Sequence, residues 1–252
     1  MSTLIIVRHG QSTWNLENRF TGWIDVPLSK QGEQEARDAG TALRKAGHSI
    51  DIAFVSYLQR TSHTLALMLN EMGCPDLPRI RDWRLNERHY GALQGLNKKE
   101  TANIHGEKQV LEWRRSFSKR PPELADDHPS HPQSDPLYQD LDNPPNAESL
   151  SDTLKRVRRC WREAISPLLV SDNRILIVAH GNSLRALVKL LEDLSKEEIL
   201  NFNIPTGIPM IYEIDKNLRV LHRYFLADDA KLNAAIHEVE NQASTDRDKN
   251  IC

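Results

Sequence analysis

The stretch "TLIIVRHGQS", Thr3 to Ser12, decides how the rest of the chain is read. Leu4 to Val7 form an unbroken apolar run, the pattern of a strand buried on both faces. It passes directly into Arg8 and His9, then Gly10. A cation and a protonatable ring at the end of a core strand are costly unless something negative meets them. The pattern returns in "ILIVAHGNS", Ile175 to Ser183, as an apolar run, then His180-Gly181, then a polar helix start. In open α/β sheets, ligands bind beyond the carboxyl ends of strands. Glycine lets backbone approach a ligand closely, and a helix start offers free N–H groups to an anion. The negative partner is therefore expected to be a phosphate. Neutral imidazole is a nucleophile near pH 7, and a histidine taking up a phosphoryl group needs cations around it.

Such cations occur in blocks. "YLQRTSHT" places Arg60 just after an apolar run ending at Val55, "LNERHYGALQGLNKKE" holds Glu87, Arg88, His89, Tyr90 and Lys98, and "EWRRSF" holds Arg114 and Arg115. Arginine is the better phosphate clamp because its planar fork is bidentate.

Further strands are expected at Ile52–Val55, Arg174–Ala179, Ile208–Ile214 and Val220–Phe225. Residues Ser29–Ala46 carry a helical repeat capped by Ser29 and stopped by Gly47. Residues Glu148–Val170 put Leu150, Leu154, Val157, Trp161, Ile165 and Leu168 on one helix face. The opposite face, with Lys155, Arg156, Arg158, Arg159 and Arg162, reads as solvated. Alternating strands and helices imply an α/β fold, three layers around a mostly parallel central sheet. Residues Pro121–Pro145 interrupt the alternation with seven of the thirteen prolines, a long irregular segment of the kind that is often functional or mobile. No internal domain boundary is apparent, so one domain over residues 1–252 is expected, with the proline-rich excursion at about 118–147.

Composition narrows the function classes. A net charge of −2 gives no basic surface for nucleic acid. Three cysteines form neither a disulfide framework nor a CxxC pair, which fits a reducing compartment. The run after Thr3 is too short for a signal segment, and no stretch approaches the roughly 18 apolar residues of a membrane span. A soluble cytoplasmic protein is expected. His128 and His131 have no further ligands near them, so no metal is expected. There is no phosphate-binding loop ending in Lys-Ser or Lys-Thr and no GxGxxG after a strand. "HGNSLR" is not a nucleophile elbow, which rules out Ser183 as a hydrolase serine.

"LIIVRHGQSTWNLENRFTGWIDVPLSKQG" resembles the histidine phosphatase superfamily through its Arg-His-Gly signature. "RHYGALQGLNK" and "NRFTGWIDVPLS" resemble its cofactor-dependent phosphoglycerate mutase branch, and the likeness continues through "AHGNSLRALVK" and "NIPTGIPMIYE" to about residue 226. The resemblance implies that His9 is phosphorylated on Nε2, primed by 2,3-bisphosphoglycerate, and that 3-phosphoglycerate and 2-phosphoglycerate are interconverted through that bisphosphate. It implies Glu87 as general acid/base, and Arg8, Arg60 and His180 around the transferring group. Asn15, Gly181 and Asn182 match further phosphate contacts. Thr21, Gly22, Tyr90, Lys98, Arg114 and Arg115 match groups for the substrate carboxylate and second phosphate. Gly10, Gln11, Ser12, Thr13, Arg88 and His89 lie within the matched binding stretches. Gln11 stands where an acidic residue is often found. The bisphosphoglycerate synthase branch tends to carry glycine at the position of Ser12 and to lack the Thr21-Gly22 pair. That branch and broad-specificity phosphatases of the superfamily are the alternatives. Homodimers or homotetramers are common in the family, and its C-terminal tail, here residues 241–252, closes over the site.

Overall fold

The computed structural model describes residues 2–241. The first half holds β1 (Ser2–Arg8), α1 (Thr13–Leu16), α2 (Lys30–Lys45), β2 (Ile52–Val55), α3 (Gln59–Met72) and β3 (Arg79–Arg81). Next come α4 (Lys98–His105), α5 (Glu107–Arg115), α6 (Leu150–Cys160) and α7 (Ser166–Val170). The last part holds β4 (Ile175–Ala179), α8 (Gly181–Glu192), α9 (Lys196–Asn201), β5 (Met210–Ile214), β6 (Val220–Phe225) and α10 (Asp229–Asn241). The strands form one sheet in the order β3-β2-β4-β1-β5-β6. β3, β2, β4 and β1 are parallel, and within the described sheet β1 pairs with β5 and β5 with β6 antiparallel, which reverses β5 alone. The sheet is mostly parallel as expected, made mixed by the one reversed strand, β5.

Alternation along the strands builds two cores. Leu4, Ile6, Ile175 and Ile177 face a cluster with Leu154, Val157, Leu184 and Leu187 from α6 and α8. Ile5, Val7, Leu176 and Val178 face a cluster with Ala36, Leu43, Leu65 and Met68 from α2 and α3. A sheet covered on both faces has no use for polar alternation, which is why its central strands are apolar throughout. α2, which follows β1 and α1, and α8, which follows β4, lie on opposite faces, so the connections from the two strands diverge beyond His9 and His180.

Several boundaries move for physical reasons. β5 begins at Met210 because Pro209 has no N–H to give the ladder. Arg174 stays outside β4, its backbone N–H and guanidinium both bound to Asp51. The helix after Ser149 contains a π turn, Trp161–Ile165, just before Pro167. That extra residue shifts the register, so Leu169 rather than Leu168 is buried. Lys155, Arg158, Arg159 and Arg162 are solvated as expected, but Arg156 is not: it is buried against Glu148 at 2.7 Å. The proline-rich segment is mostly exposed and is anchored at a few buried residues. Leu124 N–H donates to Asn146 O, and the buried Tyr138 accepts a hydrogen bond from Asn86 Nδ2 at 2.9 Å and lies against Trp23 and Tyr57. The tail expected to close the site falls, beyond Asn241, outside the described residues.

Candidate active site

β1 and β4 are neighbours in register, Arg8 opposite Ala179, and His9 N–H donates to Ala179 O at 3.0 Å. This sets the His9 and His180 rings side by side, centroids 4.9 Å apart. Both are buried. His9 Nδ1 lies 2.7 Å from Gly10 O. A carbonyl only accepts, so Nδ1 carries the proton and Nε2 keeps its lone pair. Burial, with Arg60 and Arg8 beside it, holds the His9 pKa well below the ordinary value, so the ring is neutral. Gly10 is required by close approach: a Cβ there would meet Gly32 O at 2.0 Å.

His180 is oriented from behind. Its Nε2 lies 2.8 Å from Ser56 Oγ. Thr61 Oγ1 donates to Leu58 O, so the Ser56 hydroxyl donates to Thr61 and accepts from His180 Nε2–H. Nδ1 is left buried without a partner. Burial and then Arg60 push the His180 pKa down as well. An anion beside Nδ1 would favour a proton there.

Arg60, in the first turn of α3, donates to Gly22 O at 2.8 Å and Ile24 O at 3.1 Å, fixing the Thr21-Gly22 turn. Gly22 has φ +57°, a conformation that favours glycine. Glu87 Oε1 accepts from Arg88 N–H at 2.8 Å and Asn182 N–H at 3.0 Å, leaving Oε2 toward the crevice. Asn182 Nδ2 also reaches Tyr90 Oη at 3.3 Å. Arg88 is fully buried, stacked on Tyr90 at 4.5 Å, with Nε and Nη1 unpartnered. Asn15 Oδ1 is taken by the N–H and Oγ of Ser12, which leaves its amide donor for a ligand. Burial, followed by Arg114 and Arg8, pulls the Lys98 ammonium down to about 7.

Most of these groups line one open cleft. Arg8, His9, Asn15, Thr21, Gly22, Arg60, Glu87, Tyr90, Lys98, Arg114, Arg115, Gly181 and Asn182 line it. Gly10, Ser12, Thr13, Arg88 and His180 are not among the lining residues. Two expected residues are turned to other work. Gln11 Oε1 accepts from Ser29 Oγ, the cap of α2. His89 is buried behind the site, its Nδ1 accepting from Gly91 N–H and its pKa pushed by burial to about 3. Arg185 and Asn203 line the cleft and were not anticipated. Arg185 donates to Asn182 Oδ1 and to Ile199 O, and Asn203 Oδ1 accepts from Arg115 at 2.8 Å. Both lie inside stretches that carry the family resemblance, Arg185 in "AHGNSLRALVK" and Asn203 at the start of "NIPTGIPMIYE", which is the signal that could have found them. No group of three or more metal-ligating side chains occurs among the described residues. Nor is any described helix long and apolar enough to cross a membrane.

A neutral buried histidine with a free Nε2, among cations and facing a single carboxylate, defines a phosphoryl-handling centre, and the chain belongs to the histidine phosphatase superfamily. Residues 4–128 and 120–226 match the profile of its branch 1. The chain is also 53% identical over 247 residues to the 2,3-bisphosphoglycerate-dependent phosphoglycerate mutase of Hydrogenobaculum sp. (strain Y04AAS1), covering 96% of this chain and 99% of that one. Among solved structures, a mycobacterial glucosyl-3-phosphoglycerate phosphatase in complex with VO3 superposes with a TM-score of 0.68 at 22% identity, over 89% of this chain and 97% of that one. A putative alpha-ribazole-5'-P phosphatase from Escherichia coli K-12 gives 0.67 at 22% identity, over 90% and 96%. These last two establish a shared fold.

Proposed function

We propose that the protein is a phosphoglycerate mutase that interconverts 3-phosphoglycerate and 2-phosphoglycerate through phospho-His9. The observation that carries the reading is His9 itself: neutral, tied by Nδ1–H to Gly10 O, with Nε2 free in a cleft of cations. 2,3-Bisphosphoglycerate fits this cleft, because Arg60 Nε and Arg88 Nε and Nη1 are buried donors with no partner, and an anion gives them one, while the unpartnered His180 Nδ1 takes up a proton beside an anion and then donates to it. When bound, it supplies the phosphoryl group that charges His9.

In the forward transfer, the His9 Nε2–P bond breaks as the substrate hydroxyl oxygen bonds to phosphorus. The hydroxyl proton passes to Glu87 Oε2, whose partner oxygen is held by two backbone N–H groups. Arg8, Arg60 and protonated His180 stabilise the charge on the moving group. Lys98, Arg114 and Arg115 take the carboxylate and the second phosphate, which fixes which hydroxyl meets His9. The return transfer to the other position runs the same steps backwards, with Glu87 giving the proton back. Homo-oligomeric assembly and a cytoplasmic setting belong to the same reading; sedimentation velocity and fractionation decide them.

The test is isomerisation of 3-phosphoglycerate with and without catalytic 2,3-bisphosphoglycerate, alongside mass mapping of acid-labile phosphate. We expect isomerisation that depends on the bisphosphate, labile phosphate on His9, and loss of both in His9→Ala. Release of inorganic phosphate without isomerisation would assign the chain to a phosphatase activity instead.

A further inference from the structure

Arg156 was expected on a solvated helix face, and the structure puts it in the interior. All five of its N–H groups are used. Nε donates to Glu148 Oε1 at 2.7 Å, and Nη2 to Glu148 Oε2 at 2.9 Å. Nη1 donates to Arg84 O at 2.7 Å and Asn86 O at 2.8 Å, while the second Nη2 proton goes to Glu87 O at 2.9 Å. Glu148 completes the clamp. Its Oε2 accepts from His89 N–H at 2.8 Å, and its own N–H donates to His89 O at 2.9 Å. Trp23 Nε1 adds a further bond to Glu87 O at 2.6 Å. One buried ion pair on α6 and the turn before it thus holds the backbone on both sides of Glu87.

We propose that the Arg156–Glu148 pair is a positioning device for Glu87, setting the angle at which its carboxylate enters the cleft. This rests on the reading of Glu87 as the acid/base. The physical case is selective. Residues 84–89 contain no regular helix or strand long enough to fix a side chain, only a short 3-10 turn at Trp83–Leu85. Carbonyls in such a segment would otherwise need water or other donors. Because the pair is charge-balanced, it fixes geometry without adding net charge to the cleft. Neither residue lines the cleft, so the pair acts through Glu87 and not on substrate.

The test is a double-mutant cycle. Lysine keeps the charge of Arg156 but brings three N–H donors on a single nitrogen, which cannot bridge Glu148 and three carbonyls together. For Arg156→Lys we expect kcat to fall about 10- to 100-fold, the scale of a misplaced catalytic group, with the KM for 3-phosphoglycerate within about twofold and His9 still phosphorylated by 2,3-bisphosphoglycerate. In a Glu87→Gln background the same substitution should lower kcat no further, since the group it positions is gone. Thermal unfolding checks that each variant is folded. Glu148→Gln, which keeps the shape and removes the charge, carries the same test if Arg156→Lys does not fold. A kcat within twofold of wild type, or equal losses in both backgrounds, overturns the proposal. A Glu87→Gln enzyme with wild-type kcat would instead overturn the acid/base reading on which it rests.

Discussion

Substrate binding should carry a proton to Lys98, and the size of the effect follows from the empty site. Burial, then Arg114 and Arg8, hold the Lys98 ammonium at about 7 rather than the ordinary 10.5. An anion held against it reverses that cause. With a pKa near 7 in the empty enzyme and near 10.5 in the complex, the apparent dissociation constant for 3-phosphoglycerate should rise about 15-fold between pH 7 and pH 8.5. The sign is fixed: affinity is lost as pH rises, because the empty site must first regain a proton. At pH 8.5 Lys98 should contribute roughly one proton of uptake on binding. Isothermal titration in two buffers of different ionisation enthalpy reads that number directly. Lys98→Met should bind more weakly at pH 7 and take up roughly one proton fewer at pH 8.5, any remainder belonging to His180. Equal proton counts for wild type and Lys98→Met would refute the reasoning, since the depressed lysine would then play no part in anion capture.

Three further outcomes follow from the geometry. Gly10→Ala pushes a Cβ to 2.0 Å from the backbone oxygen of Gly32, so the turn that holds His9 Nδ1 must move; kcat should fall about 100-fold, and a near-normal kcat would disprove the fit. Ser56→Ala removes the acceptor of His180 Nε2–H and should slow phosphoryl transfer to His9 about tenfold in single-turnover experiments, the worth of one hydrogen bond, with KM unchanged. The unliganded protein should lose about 4 kcal/mol of stability between pH 7.5 and 5.5, because His9, His89 and His180 are held neutral by burial when folded and protonate near 6.5 when unfolded, at about 1.4 kcal/mol per unit each. Denaturant unfolding at the two pH values measures it, and a flat profile would show that burial does not hold these rings neutral.

The two strand-end histidines were legible because their signal is local: an apolar run that stops at His-Gly twice can only place both rings at one edge of a parallel sheet. The cationic blocks were legible by type and not by target. Nothing in a helical repeat distinguishes Arg156 from Arg158 or Arg159 two and three residues on. What separates them is the angle of α6 to the segment before Glu87, a tertiary fact. The π turn was hidden for the same reason, since a helical period tolerates one inserted residue without changing which residue types appear. His89 lies among cleft residues in sequence, but its ring is buried away from the lining and accepts from Gly91 N–H.

The arginines sort by what they donate to, and the sorting separates ligand groups from structural ones. Arg84 pairs with Asp82 and Glu163, Arg156 with Glu148, and Arg174 with Asp51. A carboxylate cancels the charge it holds. Arg60 is held by the carbonyls of Gly22 and Ile24, Arg88 by that of Arg114, and Arg185 by that of Ile199 with the amide oxygen of Asn182. Among the described residues none of these three has a carboxylate within ion-pair distance. A neutral oxygen fixes the direction of a guanidinium and leaves its charge intact. All three lie in or directly behind the cleft, each with at least one buried nitrogen unpartnered. The unliganded site therefore holds uncompensated positive charge, and the cost is visible in pKa values pushed by burial to about 10 at Arg60 and about 9 at Arg185. Only a ligand with more than one anionic group relieves several of these cations at once, which favours a phosphorylated acid over a phosphomonoester of a neutral alcohol.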